Sequence, residues 1–79
     1  MKVIVKTMSG SHYFFQKNGN ELRVVRNFTK EGIVEGGKIE IEMGKPMEIN
    51  AFMLNAYDYH REEDITCTTT TPVVKIRIC

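Results

Sequence analysis

Few residues in this chain have the types and spacing that chemistry requires. Tyr57-Asp58-Tyr59-His60 is the densest run, with two aromatic rings, a carboxylate and an imidazole in succession. Aromatic faces and a carboxylate together hold a base or a basic side chain, so this run is the candidate ligand- or partner-binding segment. On a strand, Tyr57 and Tyr59 share one face while Asp58 and His60 share the other, and all four line one pocket only if the strand bends. The plainer alternative has Tyr57 and Tyr59 capping the core with their hydroxyls in water. His12, His60, Cys67 and Cys79 are the potential zinc ligands, but no two of them show the close spacing of zinc sites, and no metal is expected. Catalysis needs a nucleophile beside a base, or two carboxylates in dissimilar environments; Glu62-Glu63-Asp64 reads instead as a solvated charge run. Dinucleotide, phosphate-loop, nucleophile-elbow and zinc-protease fingerprints are all absent. Neither a cofactor nor an enzymatic activity is expected.

A second constellation lies nearer the N-terminus. Tyr13, Phe14 and Phe15 stand close in sequence to Lys17, Arg23 and Arg26. A small β-barrel that binds single-stranded nucleic acid combines a basic groove with stacking aromatics, and Tyr13, Phe15, Lys17, Arg23 and Arg26 supply those ingredients. Charge along the chain is uneven in a way that both favours and opposes this reading. Residues 1–34 carry six cations and two carboxylates, residues 35–64 three cations and eight carboxylates, and the last fifteen residues add Lys75 and Arg77. The total of +1 lacks the strong positive footprint of a dedicated nucleic-acid protein. Such asymmetry equally suits one protomer docking its basic side on another's acidic side, or two separately solvated faces.

The elements that must position these residues read as strands. Lys2-Val3-Ile4-Val5-Lys6 places Val3 and Val5 inward, with Ile4 on the lysine face. Ser9-Gly10-Ser11 supplies a turn, His12 to Gln16 a second, aromatic strand, and Asn18-Gly19-Asn20 the strongest turn signal in the chain. Glu21 to Lys30 fits both a strand face through Leu22, Val24 and Phe28 and helical spacing; the β-branched pair Val24-Val25 favours strand. Glycines bracket a short Ile33-Val34. Lys38-Ile39-Glu40-Ile41-Glu42-Met43 gives the cleanest alternation, predicting a half-solvated antiparallel strand with Ile41 at its centre. Met47-Glu48-Ile49 alternates again, after which Asn50 is placed to cap one helical turn through Leu54, with a continuous strand as the alternative. Ala56 to Tyr59 returns to strand, His60 to Asp64 reads as a charged loop, and Thr66 to Thr71 is β-prone until Pro72. Val73 to Ile78 closes the chain as a strand with Ile76 at its core-facing centre.

These six or seven short segments predict one all-β domain over residues 1–79, a small antiparallel barrel or sandwich of about six strands with at most one helical turn. No apolar run approaches the roughly 20 residues of a membrane span, and the N-terminus lacks a secretory h-region, so a cytoplasmic location without membrane contact is expected. A 79-residue domain buries only about 60% of its unfolded surface, which predicts a homo-oligomer, paired through the edge of the closing strand.

Lys2-Val3-Ile4-Val5-Lys6-Thr7-Met8-Ser9-Gly10, followed by the aromatic strand and by Met47-Glu48-Ile49-Asn50 ahead of Tyr57, resembles the small uncharacterised β proteins encoded by phages and prophages. The resemblance implies a viral or mobile-element accessory protein that counters host defence by binding a host protein or a small ligand. It transfers no functional residue. The residues and the resemblance together predict a non-enzymatic binding or assembly module, with single-stranded nucleic-acid binding as the alternative.

Overall fold

The computed structural model describes residues 1–54 and 61–79, the side chains of 61 and 62 excepted. Among the described residues six strands, β1 (Lys2–Thr7), β2 (His12–Asn18), β3 (Glu21–Arg26), β4 (Lys30–Val34), β5 (Pro46–Leu54) and β6 (Arg61–Ile78), follow one another around a closed barrel, and a 3₁₀ turn spans Glu35–Gly37. Each strand pairs antiparallel with its successor, and β6 returns to pair with β1 through Val3↔Ile78, Val5↔Ile76 and Thr7↔Val73. Among the described residues no helix is long and apolar enough to cross a membrane.

The turn chemistry explains the first three strands. The Gly10 amide donates to the Thr7 carbonyl at 2.9 Å with Gly10 in a left-handed conformation, and the two-residue turn at Gly19-Asn20 likewise puts Gly19 at φ 61°. The period-2 pattern then directs Val5, Tyr13, Phe15, Leu22, Val24, Val34, Met47, Ile49, Ala51 and Val73 into one core. Val3 and Ile76 pack against it half-buried, and Ile4 lies half-buried on the outer surface beside Phe14, as its place among lysines requires.

Several expectations change. The segment from Lys38 to Met43 joins no ladder except for one parallel bridge from Met43 to Val73. Its alternation survives as burial, since Ile39 and Ile41 pack on the core while Lys38, Glu40 and Glu42 stay exposed. An amphipathic pattern specifies which face is covered but not whether a backbone ladder forms. The helical turn after Asn50 does not form: β5 runs on through Leu54, because β4 pairs with its Ala51, Phe52 and Met53 and β6 pairs along its other side. Asn50 therefore caps nothing, and its buried Oδ1 has no hydrogen-bond partner among the described residues.

Arg61 to Asp64 belong to β6 rather than to a loop, and Pro72 does not end that strand. Proline is tolerated because β6 changes partner there: Pro72 is the last residue paired with β5, opposite Pro46, and Val73 the first paired with β1, with register shifts on both flanks. The Thr70 hydroxyl repairs the irregularity, accepting the Met47 amide at 2.9 Å and donating to the Thr71 carbonyl at 2.7 Å. Phe28 leaves the strand face altogether: it sits in the β3–β4 turn at φ 62° and is 80% exposed. Val73 to Ile78, the segment expected to pair between protomers, is paired along one of its edges with β1 of the same chain.

Candidate functional site

Barrel closure makes every inward position part of either a filled core or an open lumen, depending on side-chain size. Over the middle of the barrel, Val5, Phe15, Leu22, Val34 and Met47 fill the space. Toward the end that holds the β1–β2 and β3–β4 turns, the inward positions become small or polar: Gly32, Ala51, Thr66 and Thr68. A cavity of 260 Å³ results, lined by Tyr13, Val24, Arg26, Lys30, Gly32, Ile49, Ala51, Met53, Thr66 and Thr68. All ten lie on the inward parity of their strands, and together they represent five of the six strands. Gly32 stands at a close approach, where a Cβ would lie 3.1 Å from the Phe52 carbonyl oxygen and 3.3 Å from the Met53 sulfur and would crowd both.

Three hydroxyls enter this lumen, from Tyr13, Thr66 and Thr68, and none is hydrogen-bonded to a described residue. Arg26 and Lys30 form its rim. They are register partners across the β3–β4 ladder, and neither has an ion-pair partner among the described residues. The opposite end of the barrel has a larger cleft of 620 Å³, but its walls are the ends of β1 to β3 and the stretch Gly37 to Ile41, so it is a one-sided groove.

Outside the barrel, β6–β1 pairing assembles a cationic face from the two ends of the chain. Lys6 stands opposite both Lys75 and His12, and Ile4 opposite both Arg77 and Phe14. Ile4, Lys6, His12, Lys75 and Arg77 line a hollow of 260 Å³ to which no carboxylate side chain contributes among the described residues. The exposed ring of Phe28 stacks on His12 at 6.3 Å between centroids.

The residues singled out from sequence are dispersed. Tyr57, Asp58, Tyr59 and His60 lie outside the described residues. Tyr13 and Phe15, at 4% and 2% exposure, are core residues stacked on each other at 6.5 Å, and neither ring is presented on the outer surface as a stacking platform. Lys17 lines the one-sided cleft, Arg23 on the outer surface is paired with Glu21 at 3.5 Å and Glu31 at 2.8 Å, and Arg26 stands on the lumen rim. No one groove gathers the five. Of the four residues considered for zinc, His12 stands on the cationic face, Cys67 and Cys79 are exposed, and His60 lies outside the described residues; among the described residues no three His, Cys, Asp or Glu side chains converge as a metal site. Sequence reasoning missed Lys30, Gly32, Ala51, Thr66 and Thr68, whose shared face exists only once strand order and register are known. It also missed Lys6, Lys75 and Arg77. Their charges were visible, but nothing before closure placed the ends of the chain together. Searches against family models, curated proteins and solved structures returned no match.

Proposed function

We propose that this protein is a non-enzymatic binding barrel whose lumen takes a small molecule. The observation that carries the reading is the 260 Å³ lumen, walled by five strands, apolar at its sides and holding three hydroxyls unpaired among the described residues. Small-molecule sites are concave and mostly apolar with a few polar groups that orient the ligand, and this lumen, at 260 Å³, is slightly smaller than the usual minimum of about 300 Å³, which limits it to a small ligand. Neutral naphthamide, followed by amide chemical shifts, tests it. Saturable one-to-one shifts at Tyr13, Ala51 and Thr68 are expected, lost when Ala51→Leu or Thr66→Phe fills the lumen. If neither naphthamide nor dissolved xenon perturbs these positions, the lumen is not a binding site. The likeness of the first hairpin to phage-encoded β proteins supports an accessory role in a phage or mobile element, in the cytoplasm of the host.

A second reading rests on a different surface. Lys6, Lys75, Arg77 and His12 with Phe14 and Phe28 give the outer face the cations and rings that single-stranded nucleic acid needs, in place of the buried Tyr13 and Phe15. Oligonucleotide affinity that falls steeply with salt, and that drops for Lys75→Glu and Arg77→Glu irrespective of base sequence, supports it. Fluorescence anisotropy without binding at low salt removes it. Homo-oligomerisation remains part of the proposal on grounds of size alone, and light scattering that gives a monomer mass of 9.1 kDa at all concentrations removes that part.

A further inference from the structure

We infer that the ligand of the lumen is an organic anion: a carboxylate or phosphate monoester carried on an apolar body of one or two rings. The inference rests on the lumen being the binding site and adds what the site selects. Its basis is the pairing of Arg26 with Lys30. Directly opposed residues on one face of an antiparallel ladder lie about 5 Å apart, and like charges in that arrangement destabilise the sheet. Elsewhere on the same two strands the opposite arrangement holds: Arg23 on the outer face is bracketed by Glu21 and Glu31. Among the described residues the rim of this lumen thus concentrates positive charge, while Glu21 and Glu31 are spent outside. Asp64, two residues before Thr66 on β6, is exposed and forms no ion pair with either cation.

Geometry supplies the rest of the ligand. Tyr13, Val24, Ile49 and Ala51 form apolar walls below the rim, which suits a flat hydrocarbon or aromatic body. The Thr66 and Thr68 hydroxyls are placed on the β6 side for a ring heteroatom or an anionic oxygen. A 260 Å³ space excludes larger amphiphiles from full entry. An anion at the rim accepts charge-assisted hydrogen bonds from the Arg26 guanidinium and the Lys30 ammonium and removes their mutual repulsion. Charge selection and stability are thereby coupled in one pair of residues.

Three probes of one shape decide the matter: naphthoate, naphthyl phosphate and neutral naphthamide, titrated by calorimetry into the parent, Arg26→Gln, Lys30→Gln and the double variant. The better anion should bind about tenfold or more tightly than naphthamide, the difference that one charged hydrogen bond provides. The ratio of anion to naphthamide affinity should shrink with added salt and fall to about one in the double variant, whatever the change in naphthamide affinity itself. Which of the two anions binds more tightly distinguishes a carboxylate from a phosphate ligand. If naphthamide binds as well as both anions, the anion inference is overturned and the lumen reading stands; that is also the result expected if a carboxylate of the chain already neutralises the pair. If no probe binds, the lumen reading fails and takes the inference with it. Each single substitution is at an exposed rim position, so either one keeps the test open should the double variant fold poorly.

Discussion

Arg26 and Lys30 make a prediction about stability that is opposite in sign to the usual result of mutating a folded protein. Most substitutions destabilise, yet Arg26→Gln or Lys30→Gln removes a cross-strand repulsion without removing an ion pair seen among the described residues. In the absence of ligand, thermal unfolding of either variant should occur at or above the parental Tm, and the difference should narrow as salt screens the parent. A lowered Tm would mean that the pair is already neutralised within the chain. Core and surface positions should divide by burial. Met47, 1% exposed, should cost about 2–5 kcal/mol on replacement by Ala, whereas half-buried Ile41 and Ile76 should cost less, and Phe28→Ala should change stability by no more than about 0.5 kcal/mol. Denaturant unfolding of the four variants checks the order. The aromatic cluster shows how far single residues could be read. That Tyr13 and Phe15 alternate with Phe14 was legible, but which parity faces the core depends on neighbours from other strands.

At the scale of elements, apolar alternation and backbone pairing come apart in this fold. The stretch 38–42 has the clearest alternation in the sequence and no ladder, while 61–72 has an unpromising run of charge and threonine and forms most of the longest strand. Partner availability explains the second. β6 has β5 beside it over residues 61–72 and β1 beside it over 73–78, so that each half acquires its ladder from a different neighbour and Pro72 falls at the exchange. Amide hydrogen exchange should expose the difference directly. Amides of Lys38, Glu40 and Glu42 should exchange near the rates of unstructured chain, and those of Val5, Val24 and Ile49 only by global opening, although Ile39 and Ile41 are as regularly patterned as any strand. Strong protection across 38–42 would show that it pairs as a strand after all. The hairpins around Ser9-Gly10-Ser11 and Asn18-Gly19-Asn20 were legible because their determinants are local. The fate of Asn50 was not, since a local capping preference yields to strand partners on both sides.

For the whole molecule, the decisive contact is the one between its ends. β6 and β1 pair from Val3↔Ile78 to Thr7↔Val73, the Cys79 amide donates to the Lys2 carbonyl at 2.9 Å, and this seam both closes the lumen and builds the outer cationic face. A sequence reading reaches an all-β domain of about six strands from periodicity, but it cannot tell a barrel from a sandwich because that distinction lies in this one long-range pairing. Closure should make the molecule indifferent to where the chain is cut, provided the cut falls in a turn that carries no pairing of its own. A circular permutant that joins residue 79 to residue 1 through a short Gly/Ser linker, with new ends opened between Gly19 and Asn20, converts the most distant pairing into a local hairpin and sacrifices only a tight turn. It should keep the β-dominated circular dichroism spectrum and bind naphthamide as the parent does, since no lumen residue lies within the opened turn. Folding should not be slower, because the loop that must close before β1 meets β6 has become short. A permutant that remains unfolded, while the same linker inserted at Gly19 in the uncut chain is tolerated, would show that β1 and β6 are not neighbours and that the sheet does not close.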